Sequence, residues 1–210
     1  MLILSHRGYW GPSIPKNSPQ AFERSFHLGF GTETDFRDQN GELVISHDPP
    51  TGICLTVAEF LESFAAIDKS LPLAVNIKAD GLQWKLKDAL DRYQIENYFL
   101  FDMSVPDAIV SLKNGLRIFA RHSDVESTPH LYAEAAGVWM DAFFDDSWIT
   151  AESIILHLDA GKRVCVVSPE LHGRPHLSLW DRLLEGGIHR HTDLMLCTDI
   201  PEEARAFFPQ

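Results

Sequence analysis

Apolar positions along the chain fall into two alternating kinds of run. Short runs with strand character begin near positions 2, 32, 73, 98, 117, 137, 163 and 194, rich in the β-branched and aromatic residues that suit strands. Between them lie stretches of helical pattern, near 19–28, 56–66, 83–93, 106–112, 131–135, 151–160, 177–184 and 202–207. Local punctuation supports the reading. Ser18 followed by Pro19 suits an N-cap and first helical position, and Gly29 and Gly31 end that helix. Asn40-Gly41 predicts a tight turn between strand 32–36 and a short additional strand, 43–46. Eight β/α units with one extra hairpin strand predict an α/β protein of (β/α)₈ TIM-barrel type. A shorter doubly wound sheet is the alternative. At 210 residues the chain is expected to form one domain, residues 1–210, near the small end of barrel sizes.

Charge narrows the partners. Thirty acidic against eighteen basic residues give a net charge of −12, which argues against nucleic acid and anionic membrane surfaces. An acidic protein that handles a phosphate needs a metal ion or a local basic cluster to offset repulsion. The three cysteines, Cys54, Cys165 and Cys197, have no CxxC spacing, and the latter two sit in apolar runs. They read as thiols in a reducing compartment rather than as a disulfide framework. The apolar start is short and lacks a basic region, and no apolar run approaches the ~20 residues of a bilayer span. The expectation is a soluble cytoplasmic protein with no stable membrane insertion; oligomeric state has no signal in the sequence.

Candidate chemistry gathers where the predicted strands end. His6, Arg7, Glu33, Asp35, Asn76, Lys78, Asp102, Arg121, Asp141, Glu170 and Asp199 all occupy such positions, and barrel active sites lie at that end of the strands. Within the first 48 residues, His6, Arg7, the Glu33/Asp35 pair and His47 suggest one metal-assisted phosphate site.

The segments His6-Arg7-Gly8, Asn17-Ser18, Glu33-Thr34-Asp35 and His47-Asp48 resemble the signature of the glycerophosphodiester phosphodiesterase family. Asn76-Ile77-Lys78 and Thr198-Asp199 line up with that family's later motifs. The likeness is specific over residues 1–50 and thinner beyond. It implies a (β/α)₈ barrel that cleaves a small-molecule phosphodiester with a divalent cation, and bacterial phosphatidylinositol-specific phospholipases share that barrel. By family analogy one histidine promotes attack and the other protonates the leaving alcohol; which does which stays open. Three features depart from the pattern. Asn76 stands where a third acidic metal ligand is usual, with Asp102 or Glu170 from other strand ends expected to compensate; Lys16 replaces the glutamate of a Pro-Glu-Asn segment, and the inserted subdomain after the His-Asp motif is nearly absent.

The residue types are suited to that chemistry. A phosphodiester needs positive charge on its oxygens, and Arg7 offers a fork of donors while Lys78 offers a point charge. Glu33 and Asp35, two residues apart on a strand, face one side. Buried there, they call for a hard cation such as Mg²⁺ or Ca²⁺, with Asn76 as a further oxygen ligand. The competing assignments are an internal ion pair of Glu33/Asp35 with Lys78 or Arg7, and a plain hydrogen-bonding role for Asn76. His6 and His47 are the candidate general acid and base. Glu170 and His172, on the loop after strand seven, and Arg121 are assigned to substrate or phosphate recognition. Asp102, Asp141 and Asp199 also suit helix caps, and His189 and His191 receive no role. Two other functions fit the same residues: a phosphorus–oxygen lyase that leaves a cyclic phosphate, and a catalytically silent barrel that binds a phosphorylated ligand.

Overall fold

The computed structural model describes residues 1–209. In chain order the elements are β1 (Leu2–His6), α1 (Pro19–His27), β2 (Gly31–Gln39), β3 (Glu42–Ile45), α2 (Val57–Asp68), β4 (Leu73–Ile77), α3 (Gln83–Tyr93), β5 (Tyr98–Phe101) and α4 (Val105–Lys113). They continue with β6 (Phe119–Ser123), β7 (Gly137–Asp141), α5 (Ala151–Asp159), β8 (Arg163–Val167), α6 (Leu177–Glu185), β9 (Leu194–Thr198) and α7 (Pro201–Phe207). Short 3₁₀ turns cover Pro169–His172 and Ile188–Arg190. Apart from the antiparallel β3 and the step from β6 to β7, which has no helix, the strands alternate with helices in β/α order, and the registers from β2 to β4 to β5 and from β6 to β9 are parallel. This is the expected (β/α)₈ TIM-barrel fold.

The chain forms two compact units, Ser5–Ile118 and a second made of Met1–Leu4 with Phe119 onward. In the first, β2 lies beside β4 and β4 beside β5, and β3 adds to β2 as a hairpin. Asn40 and Gly41 both take positive φ, 51° and 84°, the backbone a two-residue hairpin requires. The parallel registers set Asp35 opposite Asn76 and Asn76 opposite Phe101, so these positions share a level. Helices α1 and α2 cover this sheet through Phe22, Phe26, Phe36, Phe60 and Phe64, with ring centroids as close as 4.6 Å between Phe22 and Phe60. Edge-on packing of this kind adds to simple area burial. Thr56 and Glu59 close a capping box at the start of α2, which satisfies two amide donors at once. In the second unit, β6, β7, β8 and β9 run side by side over a core that includes Val138, Met140, Val166, Leu196 and the fully buried Trp180. The Trp180 indole donates to Ser168 Oγ at 2.8 Å, so its one polar atom is satisfied.

Two expectations are corrected. Residues 131–135 form no helix. Leu131 has φ 56° and the segment closes as a single turn, while the Lys162 ammonium takes the carbonyls of Ala133 and Ala135. So short an apolar cluster cannot outweigh the costly nucleus of a helix. Strand six, expected at 117–121, runs Phe119–Ser123, because its register with β7 pairs Phe119 with Gly137 and Ser123 with Asp141. Arg121 is therefore in mid-strand. Strand β2 is also longer than expected, since pairing with β3 extends it to Gln39.

Candidate active site

The ends of β1, β2, β4 and β5 bring polar groups together in the first unit. Strand β1 ends at His6, and Arg7 leaves it with φ 57°. That left-handed backbone turns the Arg7 amide onto Glu33, donating to its carbonyl at 2.9 Å and to its Oε2 at 3.2 Å. Gly8 follows at φ 78°, where a Cβ would lie 2.8 Å from Ala21 Cβ, so glycine alone fits between β1 and α1. Strand β2 supplies Glu33 and Asp35, β4 supplies Asn76 with Lys78 just beyond it, and the β5 end supplies Asp102.

Asp35, fully buried, is the hub. Arg7 Nε lies 3.0 Å from its Oδ2, Lys78 Nζ 3.4 Å from its Oδ1, and Asn17 Nδ2 donates to Oδ2 at 2.8 Å. Asn17 also accepts the Thr34 hydroxyl at 3.0 Å, and its amide donates to the Arg7 carbonyl at 2.9 Å. The two cations neutralise the buried charge but are not aligned on it as hydrogen-bond donors. Asp35 Oδ1 and Arg7 Nε have no hydrogen-bond partner, and neither has Asn76 Oδ1. Buried polar atoms are almost always paired, so two unfilled oxygen acceptors on adjacent strands, at positions in register, require an explanation.

Glu33 is 2% exposed and its Oε2 lies 3.9 Å from His6 Nε2. Burial first, and the Asp35 charge second, push its carboxyl up to about 8, against the opposing pull of Arg7, Lys78 and the Arg7 amide. A pair of buried carboxylates that holds a proton at neutral pH is what a site for a hard cation looks like before the cation replaces that proton. Among the described residues, no three Asp, Glu, His or Cys side chains form a ligand cluster. The donor set is instead two carboxylates and an amide oxygen: Glu33, Asp35 and Asn76. All three are oxygen donors of the kind Mg²⁺ and Ca²⁺ take, and two of them carry unfilled acceptor atoms. The residues fit such an ion. The ion-pair alternative holds as well, in part: Asp35 pairs with Arg7 and Lys78, whose charges also act on Glu33, while Glu33 accepts the Arg7 amide and lies 3.9 Å from His6.

His47 follows β3 and lines a cleft of about 560 Å³ with Arg7, Lys16, Asn17 and the loop 48–55. Its Nδ1 lies 2.9 Å from Asp48 Oδ1. A carboxylate can only accept here, so Nδ1 carries the proton and Nε2 is left as the reactive nitrogen. Lys16 extends its ammonium over the Trp10 ring at 4.2 Å, at the same cleft.

The remaining expected site residues lie in the second unit and are engaged there. Arg121 pairs with Glu126 at 2.9 Å. Glu170 accepts from Ser168, Thr198 and the Asp199 amide. His172 bonds Asp141 at 2.7 Å, and that hydrogen bond raises its pKa. One residue of the first cluster escapes assignment from sequence. Asn17 sits in a recognised motif, but only the fold reveals that it clamps Asp35. Asp102, expected either to compensate for Asn76 or to cap a helix, takes φ 64° and accepts the Asn76 amide at 3.4 Å. Left-handed backbone at Arg7, Asn17 and Asp102 concentrates strain in this cluster, as functional sites commonly do.

The sequence matches no protein-family model and no curated protein. Solved structures do match in fold. A glycerophosphodiester phosphodiesterase from Agrobacterium tumefaciens superposes with a TM-score of 0.71 at 15% identity, covering 98% of this chain and 99% of that one. A phosphodiesterase from Oleispira antarctica, solved in complex with the product sn-glycerol-3-phosphate, gives 0.67 at 17% identity and covers 99% of this chain and 96% of its own. A Ca²⁺-dependent phosphatidylinositol-specific phospholipase C from Streptomyces antibioticus gives 0.53 at 11% identity, with 97% and 95% covered. Across nearly its whole length, then, this chain has the fold of glycerophosphodiester phosphodiesterases and of a phosphatidylinositol-specific phospholipase C.

Proposed function

We propose that the chain is a metal-dependent phosphodiesterase acting on a glycerophosphodiester or a related sugar phosphodiester. One observation carries this reading: beside the buried carboxyl of Glu33, Asp35 and Asn76 stand in register, each with an unfilled oxygen acceptor, next to Arg7 and Lys78. Glu33, Asp35 and Asn76 would hold the divalent cation, which when bound supplies positive charge to the phosphoryl oxygens.

The chain's own residues do the rest. Arg7 and Lys78 are drawn to Asp35 and are available to share their donors with a phosphodiester anion that enters the cleft. His47 presents Nε2 to that cleft, its other nitrogen being held by Asp48. His6 stands at the end of β1 against Glu33. One of these imidazoles takes the proton of the attacking hydroxyl and the other donates a proton to the leaving alcohol, each contributing roughly 10²–10⁴ in rate. No helix among the described residues is long and apolar enough to cross a membrane, and a water-soluble diester fits the exposed cleft around His47.

Phosphorus NMR tests the proposal. The protein is incubated with glycerophosphodiesters, inositol phosphodiesters and sugar phosphodiesters, each with Mg²⁺, Ca²⁺ or Mn²⁺, beside a His6→Ala control. A phosphomonoester signal that is lost in the control is the expected result. A persistent cyclic phosphate would instead make the protein a phosphorus–oxygen lyase, and no turnover across the panel would overturn catalysis on these substrates.

A further inference from the structure

Asn76 is a neutral residue at the one place in the cluster where a third negative charge would strengthen cation binding. Its surroundings decide how its amide is turned. Asp102 Oδ2 lies 3.4 Å from Asn76 Nδ2. A carboxylate has no hydrogen to give, so the amide must turn its NH₂ toward Asp102. The carbonyl oxygen is then directed away from Asp102, and that atom is buried and without a hydrogen-bond partner. It belongs to a side chain 7% exposed, in register with Asp35, whose own Oδ1 is equally unfilled. Asp102 reaches this position only because its backbone is left-handed, φ 64°, directly after Phe101, the register partner of Asn76.

We propose that Asp102 is a positioning residue that makes Asn76 a cation ligand. It fixes the amide with its carbonyl oxygen toward the ion and sets its own negative charge behind that amide. The pair does the work of a third carboxylate, with the charge displaced from the ion to the residue behind the ligand. This rests on the proposed divalent-cation role of Glu33 and Asp35. Such a site binds more weakly than one with three carboxylates, because cation affinity follows the charge count of the ligands.

The test is a double-mutant cycle read by isothermal titration calorimetry of Mg²⁺ and of Ca²⁺ into the full chain without substrate. Asp102→Asn keeps the size and, because asparagine tolerates the left-handed region, the backbone. It can donate to Asn76 Oδ1 and so turn the amide round, and cation affinity is expected to fall at least about tenfold. Asn76→Asp is expected to raise affinity at least about tenfold. In the Asn76→Asp background there is no amide left to orient, so adding Asp102→Asn should cost only the loss of its charge, a clearly smaller fall in affinity than in the wild-type background. Thermal melting without cation checks that each variant is folded. The proposal is overturned if Asp102→Asn leaves affinity unaltered in the wild-type background, or lowers it equally in both backgrounds, which is what a merely structural Asp102 would do. A wild-type protein that binds neither cation would overturn the functional reading itself.

Discussion

Asn17 offers the sharpest check on how the site is held together. Its side chain gives Asp35 a hydrogen bond at 2.8 Å and takes one from Thr34 at 3.0 Å. A bond to a buried charge contributes about 1.5–3 kcal/mol and a neutral one about 0.5–1.5. Removing both lets water in from the adjoining cleft, which offsets part of the loss, so the expected destabilisation is about 2–3 kcal/mol. The backbone adds a second effect, since Asn17 has φ 55°. Glycine adopts that conformation freely, whereas alanine there costs about 1–2 kcal/mol. Asn17→Gly should therefore show the side-chain loss, with a small addition from the freer unfolded chain, and Asn17→Ala should be about 1 kcal/mol worse again. Urea unfolding followed by circular dichroism measures both, with unchanged slopes as the check on comparability. A loss below about 0.5 kcal/mol for Asn17→Gly, or an alanine variant more stable than the glycine one, would refute the clamp.

Three further outcomes follow from the geometry. Gly8→Ala places a methyl 2.8 Å from Ala21 Cβ at φ 78°; overpacking and backbone strain together should destabilise by about 3 kcal/mol or more, read from the urea midpoint. Phe60→Ala empties a position that is 1% exposed between Phe22, Phe26, Phe36 and Phe64, and should cost about 3–5 kcal/mol in the same assay. His157 is held between His122 and the Tyr132 hydroxyl, at 3.0 and 2.9 Å, and burial followed by the His122 charge lowers its pKa to about 4. The unfolded chain takes up that proton first. Its contribution is therefore complete above about pH 6.5 and is lost as pH falls through about 4. Stability measured at about pH 7, 5.5 and 4.5 should fall more steeply for wild type than for His157→Gln, and parallel curves would contradict the assignment.

Much of this is legible in the sequence. Periodicity finds the eight barrel strands, seven of the eight expected helices and the hairpin, because strands buried by helices and two-residue turns each leave a local signal. The i, i+2 spacing of Glu33 and Asp35 places both on one face, and strand-end position singles out His6, Arg7, Asn76 and Lys78, which the fold gathers. What escapes depends on register. Asp102 is legible as a strand-end carboxylate, but its hydrogen bond to the Asn76 amide is not, because it follows from β4 and β5 aligning Asn76 with Phe101. Asn17 matters because Arg7 turns left-handed and brings the next loop back over β2. The 131–135 helix fails because the segment is too short to repay helix nucleation and Leu131 takes left-handed backbone, φ 56°, closing it as a single turn.

The central claim is that the Glu33/Asp35 face is the cation-binding heart of a phosphodiesterase. The most direct measurement is the steady-state rate on the best glycerophosphodiester for wild type, Asp35→Asn and His6→Ala, each with added cation and again after chelation. The account predicts that chelation and either substitution each lower the wild-type rate by roughly a hundredfold or more, and that cation restores only the chelated wild type. A rate indifferent to chelation and unaltered in Asp35→Asn would contradict it.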